Sequence, residues 1–503
     1  MKTARIVFAA ALLSLAPLSA ATQAPFAFDQ VYDSLSATEG IREVAVSPDG
    51  AHVAWVQKDI HVADLGSGAP RRLANGHGIA WAPDSRRLAF LSDSAGGGQL
   101  DLYVVPLSGG APKKTTSLKG YLARPLWSAD GKSISLLFTE NAPRAAGPMA
   151  PSTPESGVVG ARIYNQRIAV VNLDTGAVNQ VSPADLYVHE YDWSPDGKTF
   201  AATAGPGPGD NNWYISKLYT FDAASGKAAA ILKPPLQIAA PCWSPDGRSI
   251  AYIGGLMSDE GMTGGDVFLV SATGGEPRQL MPGMNASASD VRWLPDGRML
   301  VAELIDGDSG FAALDPATGR TEPLWRGEGA ASENGWLPSA SLSRDGKVTA
   351  VVRHSFGMPP EVWAGPIGAW RKISAANEKR RAEWGQAKSL HWITEGRPVQ
   401  GWLLYPRDYD PAKRWPMVVW VHGGPAGMEG SHWPAASTPG MLAAAGYFVL
   451  FPNPRGSLGF GEAFTQANVR DFGYGDFRDI LGGVDEAVKT LPIDNHRVGI
   501  TGW

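Results

Sequence analysis

The 503 residues carry 44 Lys and Arg against 49 Asp and Glu, a net charge of -5, with 44% hydrophobic and 18% charged residues. A chain of this length has room for two or three domains, and its mild acidity leaves no basic face to displace counterions from a phosphate backbone, which excludes nucleic acid as an expected partner. Gly and Pro, at 60 and 39 positions, make up about a fifth of the chain and predict many turns between short strands.

At the N-terminus, Lys2 and Arg5 precede an apolar run from Ile6 to Leu18, followed by small residues Ser19, Ala20 and Ala21. That order of charge, apolar core and small residues is the pattern of a secretory signal. Residues 1–24 are expected to be this signal, with the mature chain starting between Ala21 and Pro25 and a short N-terminal segment over 25–40. The run falls short of the roughly 20 apolar residues that cross a bilayer. An exported protein without a membrane span, periplasmic or secreted, is therefore expected.

A repeated turn organises the next 330 or so residues. Its copies are Ser47-Pro48-Asp49-Gly50, Ala82-Pro83-Asp84-Ser85, Ser128-Ala129-Asp130-Gly131, Ser194-Pro195-Asp196-Gly197, Ser244-Pro245-Asp246-Gly247, Leu294-Pro295-Asp296-Gly297 and Ser343-Arg344-Asp345-Gly346. Pro presets the first turn dihedral, Asp bonds its own downstream backbone, and Gly accepts the positive φ that closes a hairpin. Apolar strands flank each copy, as in Ser249–Ile253 and Asp266–Val270. Four short antiparallel strands per unit, repeated seven times at spacings near those of known blades, predict a seven-bladed β-propeller over 41–370. The longest spacing implies an insertion, and the Pro-, Ala- and Gly-rich stretch from Asn141 to Gly160 fits it, either as a spacer or as an arm over substrate. Gly205 to Asn212 reads as a surface loop. The single cysteine, Cys242, excludes an intrachain disulfide and reads as a buried small side chain rather than a reactive thiol.

Residues 371–388 read as a linker whose charged stretch Asn377–Arg381 presents a solvated face. From about Ser389 to Trp503, strands alternate with helices, the pattern of an α/β sheet. Val399–Tyr405 reads as an early strand, Pro416–Val421 and Tyr447–Phe451 as fully buried strands, and Arg497–Thr501 as the last. A helix ends before Gly446. A second is expected to be capped by Asp476 and to bury Phe477, Ile480, Leu481, Val484 and Val488.

The chemistry-bearing segment follows the strand that ends at Val421. In His422-Gly423-Gly424-Pro425, two glycines after a parallel strand let the backbone turn sharply and aim an amide into the crevice at the strand's carboxyl end. Such an amide suits an oxyanion. Ile500-Thr501-Gly502-Trp503 supplies the strand, first Gly and second position of a Gly-x-Ser-x-Gly elbow, in which a serine sits on a strained strand-to-helix turn.

With Asn453-Pro454-Arg455-Gly456-Ser457-Leu458-Gly459-Phe460-Gly461, Gly475-Asp476 to Asp479, and Asp494 to Trp503, these motifs resemble the catalytic half of the prolyl oligopeptidase family of serine peptidases, nearest its acylaminoacyl-peptidase and dipeptidyl-peptidase branches. The seven-bladed repeat and the leading Phe28–Tyr32 segment fit the same resemblance. It implies an enzyme acting on short peptides through a Ser-Asp-His triad behind a propeller. It also implies that the Gly424 N–H is an oxyanion donor and that Arg455 belongs to the loop beside the site, holding that loop in preference to touching substrate. His422 is expected to be a packing residue at the strand end, since the family's triad histidine lies far downstream. Glu190 and Glu333 are candidates for the propeller glutamate that anchors a substrate's free amine in the dipeptidyl branch, the alternative being ordinary solvated acids. The nucleophile would stand immediately after Trp503, and the triad Asp and His lie beyond it. Residues 1–503 are therefore expected to be a C-terminally truncated, inactive form with exposed apolar surface beside the last strand.

No His-Glu-x-x-His, Cys cluster or phosphate-binding loop occurs, and no metal or other cofactor is expected. Two further readings remain open at this level: a non-catalytic propeller that binds a partner, and an α/β-hydrolase esterase. Cleavage specificity and oligomeric state are not encoded in any motif.

Overall fold

The computed structural model describes residues 27–66, 68–142, 163–435 and 437–502. The expected signal over 1–24 and most of the insertion at 141–160 lie outside the described residues.

Each repeated turn joins the first and second strands of an antiparallel sheet, the first strand of the seventh being split into Ala330–Ser332 and Ser341–Leu342, and the described residues form seven such sheets in chain order, over 43–74, 77–114, 120–180, 187–232, 237–279, 287–327 and 330–372. These are the blades of a seven-bladed propeller, numbered 1 to 7 below. The turn geometry explains the repeat. The Ser47 hydroxyl bonds Asp49 Oδ1 and accepts the His52 N–H at 2.9 Å, Asp49 Oδ1 accepts the Ala51 N–H at 3.0 Å, and Gly50 takes φ +72°. The same set recurs at Ser128, Ser194, Ser244 and Ser343, where the serine bond holds the carboxyls of Asp130, Asp196, Asp246 and Asp345 below the usual carboxylate range. In the second copy Ser85 replaces Gly at φ +60°, and its hydroxyl accepts the Asp49 N–H of blade 1 at 3.0 Å. A bond between blades thus offsets the strain of a left-handed residue.

Apolar residues on facing blades fill each of the seven gaps around the ring. Val56, Ile60 and Val62 of blade 1 meet Leu88 and Phe90 of blade 2. The last gap closes with Val44, Val53 and Trp55 of blade 1 against Val352 and Val362 of blade 7. The indoles of Trp81 and Trp127 donate to the Ala45 and Ala80 carbonyls of the preceding blades, each at 3.0 Å. The innermost strands of blades 2 to 6 each carry an irregularity in register, with Arg124 at φ +49° and Ala240 at φ +52°. Such bulges re-aim side chains into the central channel.

After blade 7 the chain builds a five-stranded sheet in the order Ala387–Thr394, Arg397–Leu404, Phe448–Asn453, Trp415–Val421, Ile493–Gly502. The last three strands are parallel and the first two antiparallel, so this is the first part of an α/β-hydrolase sheet. Phe448–Asn453, at its centre, is buried on both faces. On one face Val449, Phe451 and Leu404 meet Trp384, Trp433 and, from the far end of the chain, Val31 and Leu35 of the helix Phe28–Ser36. On the other, Leu403, Met417, Val419 and Leu450 meet Ile480 and Ala487 of the helix Gly475–Thr490.

Several expectations need correction. Asp476 does not cap the second helix: the helix begins at Gly475, and Asp476 lies in its first turn bonding the Phe477 N–H at 2.8 Å. Phe477 and Leu481 are exposed, and the buried face is Asp479, Ile480, Gly483 and Ala487. The cause is Trp392, whose ring lies where a Cβ on Gly483 would come within 2.8 Å of it, so the helix docks through its glycines. Asn377 is not on a solvated face: it is buried, accepts the Glu39 N–H at 2.8 Å, and donates to the Glu39 and Pro360 carbonyls at 2.9 and 2.7 Å. The stretch after Gly205 enters a helical turn, Asp210–Trp213, that buries Trp213. Trp415–Val421 is buried on alternate residues only. Cys242 lies on the innermost strand of blade 5, and burial, followed by the charge of Asp192, pushes its thiol well above the ordinary range.

Candidate active site

Strands Trp415–Val421 and Ile493–Gly502 run parallel with Val421 opposite Gly502. Their carboxyl ends therefore meet, and the His422-Gly423-Gly424-Pro425 turn leaves one strand beside the last described residue of the other. Gly424 takes φ +126°, and a Cβ there would lie 2.7 Å from the Ala426 nitrogen, so only glycine fits. Among the described residues its N–H has no hydrogen-bond acceptor. A cavity of about 470 Å³ opens here, bounded by His422, Gly424, Pro454, Arg455, Asn468 and Phe472. Both amide atoms of Asn468 are buried without a partner among the described residues.

His422 joins the two loops of the site. Its Nδ1 lies 2.8 Å from the Gly423 carbonyl and its Nε2 3.0 Å from Ser457 Oγ. The carbonyl can only accept, which puts the ring proton on Nδ1 and leaves Nε2 to accept from the Ser457 hydroxyl. This Ser–His pair is not a nucleophile and base, because Ser457 is fully buried and the ring's other nitrogen is bound to a carbonyl rather than a carboxylate. Nothing in the sequence pairs these residues.

Arg455 is buried and saturated by acids of this chain. Its Nε and Nη2 form parallel bonds to Asp479 Oδ2 and Oδ1, both 2.8 Å, and Nη2 also reaches Glu395 Oε2 at 2.9 Å. Asp479 accepts the Arg455 backbone N–H at 2.9 Å as well, and its own carbonyl accepts the Trp392 indole N–H at 2.8 Å. The Asp479 bond, then that to Glu395, raises the guanidinium pKa beyond its already high value. Arg455 thus ties the Asn453–Ser457 loop both to the helix Gly475–Thr490 through Asp479 and to Glu395 in the turn between the first two strands of the sheet. No motif marks Asp479; its signal in the sequence is an acid on a helix face otherwise fit for burial.

Glu190 stands on the first strand of blade 4 and Glu333 directly follows Ala330–Ser332 at the start of blade 7, and both are already engaged. Glu190 Oε2 accepts the Ala240 N–H of blade 5 at 2.7 Å, and Oε1 lies 3.5 Å from Arg124. Glu333 Oε2 accepts from Arg292 at 2.9 Å, and its carbonyl accepts the Val44 N–H of blade 1 at 2.8 Å. Burial raises the Glu333 carboxyl pKa, and the Arg292 charge opposes that rise.

Among the described residues no group of three or more His, Cys, Asp or Glu could hold a metal ion, and no helix is long and apolar enough to cross a membrane. Val469, Phe472, Tyr474, Phe477, Leu481 and Ile500 are exposed around the outer end of the site.

Residues 433–503 match the sequence model of the prolyl oligopeptidase family. The chain is 26% identical over 551 aligned positions to the uncharacterised peptidase YuxL of Bacillus subtilis, covering 93% of this chain and 78% of that one. It is 22% identical to dipeptidyl-peptidase 5 of Porphyromonas gingivalis, covering 92% and 73%. The acylaminoacyl peptidase of Pyrococcus horikoshii has the same fold, with a TM-score of 0.72 at 17% identity over 94% of this chain and 74% of that one. With seven blades ahead of a parallel α/β sheet and the matched segment on that sheet, the chain is similar in sequence and fold to peptidases of the prolyl oligopeptidase family.

Proposed function

We propose that this protein is a serine peptidase acting on short peptides, with the Gly424 N–H as one donor of its oxyanion hole and a nucleophilic serine at the position that follows Trp503. The observation that carries this reading is the parallel register of Val421 with Gly502, which sets the Gly424 turn beside the strand end at Gly502. A tetrahedral intermediate formed there would lie against an amide that has no other acceptor among the described residues. Peptide rather than ester substrates are favoured by the family and by the peptidase names of the relatives.

Residues 1–503 taken alone are proposed to be inactive, because among the described residues the one Ser–His pair at the site is the sealed His422–Ser457 bond. Arg455 is proposed to hold the loop beside the site. Glu190 and Glu333 are the proposed contacts for a substrate's free amine only in so far as each can release its arginine. The protein is further proposed to be exported, on the strength of Lys2, Arg5 and the apolar run that follows.

The test is a panel of chromogenic dipeptidyl, N-acylaminoacyl and simple ester substrates, given to the product of the complete gene and to residues 1–503. Hydrolysis of a peptidyl substrate by the first and none by the second is expected. Turnover of esters alone would assign an esterase, and no turnover by the complete product would leave a binding propeller.

A further inference from the structure

The site's glycine turn has few side chains with which to hold itself. Within residues 422–427, support comes from His422 on Ser457, from the Gly427 N–H on the Pro425 carbonyl at 2.8 Å, and from the Leu458 N–H on the Gly427 carbonyl at 2.8 Å. One donor between them, the Ala426 N–H, is buried with its residue and is taken by Ser258 Oγ at 2.7 Å. Ser258 belongs to the propeller. Among the described residues this is the one hydrogen bond from the propeller to residues 422–427.

The loop that carries Ser258 joins the second and third strands of blade 5 and is itself pinned. The Leu256 N–H donates to Glu462 Oε1 of the hydrolase half at 2.9 Å, and the Tyr214 hydroxyl of blade 4 donates to the Ser258 carbonyl. Met262 packs with Leu304 against Ala426 and Leu458, and a Cβ on Gly264 would come within 2.6 Å of Leu458. A shift of the propeller against the hydrolase half would therefore carry Ser258 away from Ala426, two residues from the Gly424 amide.

We infer that Ser258 is a positioning residue that aligns the Gly424 N–H, so that the oxyanion donor is in register only while blade 5 is docked on the hydrolase half. This rests on the function proposed above. An oxyanion donor works only when placed about 2.7 to 3.1 Å from the developing charge, and a misplacement of about 1 Å costs on the order of a hundredfold in rate.

The experiment compares Ser258→Thr, which keeps the acceptor oxygen, with the isosteric Ser258→Val, which removes it, in the product of the complete gene. The readouts are the second-order rate of fluorophosphonate labelling, kcat and KM on a peptidyl substrate, and the urea unfolding midpoint. Valine is expected to lower labelling rate and kcat by about 10- to 100-fold with KM within about threefold, and threonine to stay within about threefold of the parent on every readout. Equal labelling and kcat for the two variants overturn the inference. If valine prevents folding, Ser258→Ala against Ser258→Thr reads the same difference. A parent that takes no label contradicts the proposed function itself, whereas a labelled parent with an equally labelled valine variant sinks only the role of Ser258.

Discussion

Arg455 and Asp479 face each other through two parallel hydrogen bonds of 2.8 Å across 24 residues of chain, and the acid is fully buried. The pair fastens the loop beside the site to the helix under it. Removing Asp479 takes away the fully buried partner of Arg455 and leaves it to the half-exposed Glu395, so Asp479→Ala is expected to lower stability by about 3 kcal/mol. Arg455→Lys should also weaken the fold, because an ammonium cannot reproduce the paired geometry. Urea unfolding at neutral pH checks both, and midpoints unchanged from the parent would refute the role given to this pair.

The helix Gly475–Thr490 docks through Gly482 and Gly483 on Trp392. A methyl at Gly483 would sit 2.8 to 3.2 Å from the indole ring. Gly483→Ala is expected to destabilise by about 1 to 3 kcal/mol through overpacking, although alanine is the better helix former. Thermal unfolding of the variant decides which effect wins.

His354 gives the fold a pH dependence. Burial pushes its imidazole down to about 4, with the nearby His432 adding to the effect and the bond to the Gly335 carbonyl opposing it. Nε2 lies 3.0 Å from that carbonyl and Nδ1 accepts the Trp433 N–H at 3.2 Å, so the neutral ring links blade 7 to the hydrolase half. The folded pKa lies below the unfolded value, and the unfolded chain binds the extra proton first. This contribution is therefore complete above about pH 6.5 and is lost as pH falls toward 4, by about 3 kcal/mol in all. Urea midpoints measured between pH 7 and pH 4 should fall in the parent and fall less in His354→Gln.

Gly424→Ala combines a left-handed φ of +126° with a Cβ 2.7 Å from the Ala426 nitrogen. The turn must open, and the amide must leave its place. Peptidase activity of the complete product is expected to drop by about a hundredfold or more, chiefly in kcat, at little cost to global stability. Steady-state kinetics of the variant test this, and a kcat near that of the parent would remove Gly424 from the oxyanion hole.

Much of the propeller was legible because its turns carry their own chemistry: Ser-Pro-Asp-Gly closes a hairpin by local bonds, and repetition counts the blades. The parallel strands announced themselves as apolar runs ending in glycines. What stayed hidden depends on partners far away in the chain. Ser258 and Ala426 are 168 residues apart, His422 and Ser457 are 35, and neither pair has a local signature. The buried helix face was misread for a different reason. Hydrophobicity points to Phe477 and Leu481, but the neighbour is a flat indole that needs the absence of side chains, which a hydrophobic pattern does not register.

Catalysis at Gly424 requires a nucleophile beside it, and fluorophosphonate labelling of the complete gene product, followed by mass spectrometric mapping of the modified residue, reads that nucleophile directly. The expectation is a single label, on a serine at the position that follows Trp503. Label elsewhere, or no label on a folded protein whose sequence does carry a serine at that position, would contradict it.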